Sequence, residues 1–132
     1  MTKTETLPLT QETDIVVIRQ RTRKAAEEAQ LGLVSQTKVV TAASEIARNA
    51  LIYGGGGECV LERTLRDGRA AVRLIITDTG CGIANLDQAM VDGYTSGSGL
   101  GLGLSGARRL VDHFAIDSAP GQGTRVELWK WK

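Results

Sequence analysis

Glu45 and Asn49 stand four residues apart in a stretch of helical periodicity, so their side chains stack on one face, with Cβ atoms about 5–6 Å apart. A carboxylate in that setting can accept a proton from a hydroxyl or orient a water, while the neighbouring amide oxygen can ligate a metal. Magnesium suits the pair, because it keeps several waters and is held by one or two protein oxygens together with substrate phosphates. Read alone, the two are also an ordinary exposed polar pair. Asp78-Thr79-Gly80-Cys81-Gly82 sets an acceptor-only carboxylate at the end of an alternating run, beside glycine backbone that a flat ligand can approach. The amino group of adenine is a fitting donor; an Asp-Gly turn is the plainer alternative. Gly99-Leu100-Gly101-Leu102-Gly103 opens a second helical pattern, where freed N–H groups and the positive helix end favour phosphate oxygens. A hinge before an amphipathic helix would use the same residues. None of the three is specific by itself. Their order, contexts and spacing together read as a nucleotide site.

Two better-known phosphate motifs are excluded. No Gly-x-x-x-x-Gly-Lys-Ser/Thr occurs, which removes the P-loop. Gly101-x-Gly103-x-x-Gly106 matches the dinucleotide pattern by letter, but it follows a loop and lacks the βαβ setting that gives the pattern meaning. The strand lysine and His-Arg-Asp loop of eukaryotic-type kinases are missing as well.

The elements that must position these groups follow from periodicity. Leu7-Pro8-Leu9 is expected on an edge strand, where proline is tolerated. Thr13 or Asp14 is the candidate cap of a first helix through Ala29, stopped by Gly32, with Ile15, Ile18, Thr22, Ala25, Ala26 and Ala29 as its apolar stripe. Ser35 is the expected cap of a second helix reaching Tyr53, built on Val39, Val40, Ala43, Ile46, Ala47 and Ala50. Strands are expected over 59–66 and 70–78 around an Asp67-Gly68 hairpin turn. On the second of them Val72, Leu74, Ile76 and Asp78 share a face, so the carboxylate ends a row of core residues. Residues 79–98 lack a sustained period and are expected to form a lid-type loop. A helix over about 100–113 and a hairpin of 114–118 with 124–131 complete the chain.

Composition narrows the class. The chain has 132 residues, 42% hydrophobic, which predicts one domain over 1–132 able to bury a core without disulfides or a structural metal. A net charge of +1 gives no field for nucleic acid or an anionic membrane. Cys59 and Cys81 lack metal-ligand spacing, and no signal-length or membrane-length apolar run occurs. A cytoplasmic protein is expected. Glycine is the outlier at 16 residues, six of them between Gly93 and Gly106, against a usual frequency of about 7%.

The three boxes, in this order, resemble the N, G1 and G2 boxes of the GHKL ATPase superfamily, over roughly residues 35–126. The fold this implies is α/β: a two-layer GHKL (Bergerat) sandwich of a mixed, mainly antiparallel sheet with helices packed on one face. By the same resemblance Glu45 is the general base and Asn49 the Mg²⁺ ligand on ATP. Asp78 is the adenine acceptor, Gly80 and Gly82 the turn under the base, and Gly99, Gly101 and Gly103 the phosphate cradle. Thr124, after Gly121-Gln122-Gly123, matches the late Gly-Thr element near the adenine. Arg48 is a phosphate or partner contact, with a plain surface arginine as the equal alternative. The sole histidine, His113, reads as a helix-end imidazole and not as a phosphoacceptor. Within the superfamily the chain looks most similar to the stand-alone serine/threonine switch kinases of bacterial stressosomes. The stretches that carry this are Asp14-Ile15-Val16, Ser44 to Asn49, Asp92-Gly93-Tyr94-Thr95-Ser96, Gly99-Leu100-Gly101 and Lys130-Trp131. Such kinases phosphorylate STAS-domain antagonist proteins and, once released, activate a PP2C-type phosphatase. The neighbouring anti-sigma kinases share every nucleotide box, so a nucleotide-gated protein that sequesters a sigma factor is the alternative. Trp129 and Trp131 read equally as a docking surface or as caps on the edge of the core.

Overall fold

Two runs of alternating character around Asp67-Gly68 need a turn of positive φ, and in the computed structural model of the chain Asp67 and Gly68 adopt φ of 50° and 80°, the primed geometry that matches strand twist. The structure describes residues 2–80 and 103–132. Its elements are β1 (Lys3–Leu9), α1 (Glu12–Glu28), α2 (Leu33–Ile52), β2 (Gly57–Arg66), β3 (Arg69–Asp78), α3 (Leu104–Leu110), β4 (His113–Ser118) and β5 (Thr124–Trp131). The strands form one sheet in the order β1-β2-β3-β5-β4. Every pairing among them is antiparallel, so the mixed sheet expected from the resemblance is wholly antiparallel among the described residues. Pro8 sits on β1, an edge strand as its missing N–H requires.

Side-chain alternation assigns one face of the sheet to the core. Leu61, Leu74 and Leu128 lie in register across β2, β3 and β5, as do Cys59, Ile76 and Val126, and all six are buried. The helices cover this face. Every residue of the expected α1 stripe is buried, and so is every apolar position expected in the core from α2. Beyond them Ala42 and Ser44 are buried too, because α2 packs between α1 on one side and α3 on the other.

Four helix boundaries differ from the expectation. Asp14 is not the cap of α1 but lies one turn inside it, where its Oδ2 accepts the N–H groups of Thr10 at 2.8 Å and Gln11 at 3.1 Å. Gly32 does not stop α1. Gln30 does so at φ 62°, with its N–H bonded to the Glu27 carbonyl and that of Leu31 to the Ala26 carbonyl, the paired bonds of a left-handed helix stop. Gly32 is instead the residue before α2, in the place expected for Ser35. The last helix is shorter than expected, 104–110, because Val111 turns extended and His113 pairs opposite Trp129 as the first residue of β4. His113 is therefore a strand residue, not a helix-end imidazole.

Trp129 and Trp131 do not cap the core. They lie on the face of the sheet away from the helices, with the Arg66 guanidinium 4.7 Å and 5.0 Å from their ring centres and that of Arg73 5.3 Å from Trp129. Lys130, between them in sequence, points to the core side and places Nζ 3.4 Å from Asp112.

Candidate functional site

α2 is the backbone of the site. Glu45 and Asn49 project one turn apart from it, half-buried, while their neighbours Ile46, Ala47 and Ala50 are buried. The Glu45 carboxylate rests against the start of α3. A methyl group built on Gly103 would lie 2.7 Å from Glu45 Oε2 and would push the carboxylate aside, and Gly103 holds φ 81°, so its backbone requires glycine there. This contact joins the first and third boxes. Gly82, Gly99 and Gly101, with Cys81 and the loop residues Tyr94 to Ser98, lie outside the described residues. Glu45 and Gly103 are therefore adjacent. Asn49 is on the same helix face as Glu45, as the spacing predicts; its carbonyl accepts the N–H groups of Tyr53 at 2.9 Å and Gly54 at 3.2 Å, which ends the helix.

Asp78 lies beyond that end of α2. It closes β3 opposite Gly57 of β2 and Thr124 of β5. Its Oδ1 accepts the Gly80 N–H at 2.9 Å. Burial pushes the Asp78 carboxyl above the ordinary 3.8, opposed by the Gly80 and Thr124 backbone N–H groups, which favour the ionised form. An ionised carboxylate has about four acceptor positions, so two backbone donors leave room for a ligand amino group. Thr124 Oγ1 shares a hydrogen with Ser118 Oγ at 2.8 Å, which fixes the late Gly-Thr element beside the carboxylate.

Four of the expected residues, Glu45, Gly103, Asp78 and Thr124, thus fall into two adjoining clusters with Asn49 on the helix between them, and Gly80 is bonded to Asp78. Arg48 behaves otherwise. It is exposed and places Nη1 4.0 Å from Glu12 of α1, the weak surface pairing of its plainer reading. Gly123, which precedes Thr124 in the late Gly-Thr element, holds φ 75°, and any side chain there would collide with the Asp78 carbonyl. One contributor was not singled out from sequence: Gly54 faces the Asp78 carboxylate itself, and only the run of glycines from 54 to 57 hinted at it.

The donor set suits magnesium held between protein and nucleotide. Among the described residues no group of three or more His, Cys, Asp and Glu is gathered, so there is no protein cage. A single amide oxygen is the sparse ligation that Mg²⁺ accepts when phosphates and water supply the rest.

Comparison with known proteins follows this geometry. Residues 34–132 match the family model described as histidine kinase-, DNA gyrase B-, and HSP90-like ATPase. The serine/threonine-protein kinase RsbT of Bacillus subtilis is 40% identical over 120 residues, which is 91% of this chain and 90% of the relative. An anti-sigma F factor of Bacillus licheniformis is 36% identical over 101 residues, 71% of this chain and 68% of the relative. The virulence sensor protein BvgS of Bordetella bronchiseptica is 37% identical over 73% of this chain but only 9% of its own length. Among the described residues no helix is long and apolar enough to cross a membrane.

Proposed function

The chain belongs to the histidine kinase-, DNA gyrase B- and HSP90-like ATPase family, and from that premise we propose that it is an ATP-dependent serine/threonine protein kinase that phosphorylates a STAS-domain antagonist in a partner-switching pathway. One observation carries the reading: the Glu45 carboxylate sits against Gly103, the last of the glycines assigned here to the phosphates. That is where a base for γ-phosphoryl transfer is needed.

In this mechanism the acceptor hydroxyl oxygen bonds to the γ-phosphorus, the bond from that phosphorus to the β–γ bridging oxygen breaks, and ADP leaves. Glu45 takes the hydroxyl proton. Asp78 binds the adenine amino group, and Gly80 and Thr124 keep that carboxylate ionised and aimed. Gly82 extends the turn under the base, and Gly99 and Gly101 join Gly103 in binding the phosphates through backbone N–H groups. Mg²⁺ held by Asn49 would neutralise phosphate charge. Catalysis of this kind is mainly positioning and electrostatics. The proposed kinase domain is the whole of 1–132, acting in the cytoplasm, with a PP2C-type phosphatase as its partner after release.

The likeness to an anti-sigma F factor favours one second reading, nucleotide-gated capture of a sigma factor. A γ-³²P transfer assay with Mg-ATP, STAS-domain antagonists and the Glu45→Ala variant separates the two. Label on a serine or threonine that disappears with Glu45→Ala supports the kinase. No label despite ATP binding, with a sigma factor retained by wild type and Glu45→Ala alike, supports capture.

A further inference from the structure

Gly54 belongs to none of the three boxes, yet it touches the second. A methyl group built on it would collide with the Asp78 carboxylate, 2.6 Å from each of its two oxygens. Nothing about the Gly54 backbone itself demands glycine: it is absent from the positive-φ residues, whereas Gly55 and Gly56 next to it have φ of 75° and 98°. Its lack of a side chain is therefore used for space alone, and the space is taken by the carboxylate. Gly80 closes the same contact from the other side, since a side chain there would strike the Gly54 backbone. Asp78 is thus held between the end of α2 and its own loop.

We infer that Gly54 is a positioning residue for adenine recognition: it fixes the Asp78 carboxylate in its aimed position and so ties the base site to α2, the helix that carries Glu45 and Asn49. The inference rests on the adenine role proposed for Asp78. It has a physical consequence that a structural glycine would not have. What a side chain at 54 meets is the free end of another side chain, which can swing aside while the backbone stays in place. Gly54→Ala therefore displaces the carboxylate and leaves the fold standing. By contrast, substitution at Gly57 or Gly123 would strike backbone, at Thr77 and at Asp78 respectively.

The test uses the full chain and two nucleotides, ADP and its 6-deamino analogue purine riboside diphosphate, titrated calorimetrically. Wild type should prefer ADP by about tenfold or more, the factor expected of one hydrogen bond to a charged acceptor. Gly54→Ala should lose that preference and bind both nucleotides as weakly as wild type binds the analogue. In an Asp78→Ala background the same substitution should cost nothing further, because the group it displaces is gone. Gly54→Ala that keeps wild-type preference, while Asp78→Ala loses it, overturns the role of Gly54 and leaves the adenine reading standing. Asp78→Ala that keeps the preference overturns the adenine reading, and the inference with it. If Gly54→Ala melts well below wild type, Gly54→Ala/Asp78→Ala decides: melting restored to that of Asp78→Ala supports the contact, and melting not restored overturns it.

Discussion

Glu45 owes its place to a side chain that Gly103 does not have. The carboxylate lies over the first residue before α3, where a methyl group would come within 2.7 Å of Oε2. A base for the acceptor hydroxyl must be replaceable without loss of nucleotide binding, because the adenine contact is made elsewhere. Glu45→Gln should lower transfer by roughly 10²–10⁴-fold, the span usual for a general base, with nucleotide affinity unchanged by titration. Asp78 should behave in the opposite sense, Asp78→Asn weakening binding itself. The Asp78 carboxyl is raised above 3.8, chiefly by burial, and its ionised form is the stronger acceptor for an amino group. Nucleotide affinity should therefore fall with acidification at a pH above the ordinary aspartate value. Affinity that held constant below 3.8 would remove Asp78 from the base site.

At the scale of elements, what sequence revealed and what it hid have different physical origins. Helical spacing encodes a shared face directly, so Glu45 with Asn49, the α1 stripe and the α2 core positions were all legible. Strand alternation placed Asp78 at the end of the row Val72, Leu74 and Ile76 for the same reason. The family membership, and with it the layered α/β architecture, was legible from the boxes. The end of α3 was not, because the pairing of His113 with Trp129 wins over a local apolar pattern that would continue the helix. Nor was the role of Gly54, which depends on a contact with a strand formed later in the chain. The stop of α1 was misplaced because Gln30, which bears the left-handed conformation, is a residue that rarely does so. Gln30→Gly should accordingly raise stability by about 0.5–1 kcal/mol, read from chemical denaturation. A second element-level fault can be repaired in α1. Thr22 is fully buried and its hydroxyl has no hydrogen-bond partner among the described residues. Thr22→Val keeps the shape and removes an unpaired polar atom, so it should stabilise by about 1–2 kcal/mol. A lower melting temperature in Thr22→Val would mean that the hydroxyl is satisfied.

The whole molecule divides its labour between the two faces of one sheet. Helices, core and the residues proposed to bind the nucleotide occupy one face, and an ionic and aromatic layer occupies the other. Arg73 is the centre of that layer: it bonds Glu127 at 2.8 Å and Glu62 at 3.0 Å, lies over Trp129, and Trp129 Nε1 donates to Glu127 at 2.7 Å. These contacts link β2, β3 and β5 across the open side. They hold the Glu127 carboxyl down to about 2 from the ordinary 4.5, chiefly through the hydrogen bond from Arg73 and then that from Trp129, against an opposing effect of burial. The folded protein thus binds the Glu127 proton more weakly than the unfolded chain does. The stabilisation is fully present above about 4.5 and is lost as pH falls through about 2. Glu127→Gln removes the ionisation but keeps the shape, so the melting temperatures of wild type and variant should converge between those two values, with wild type the higher at neutral pH. A constant gap across that range would show that Glu127 titrates as an ordinary carboxylate, and that the open face contributes no acid-sensitive part of the stability.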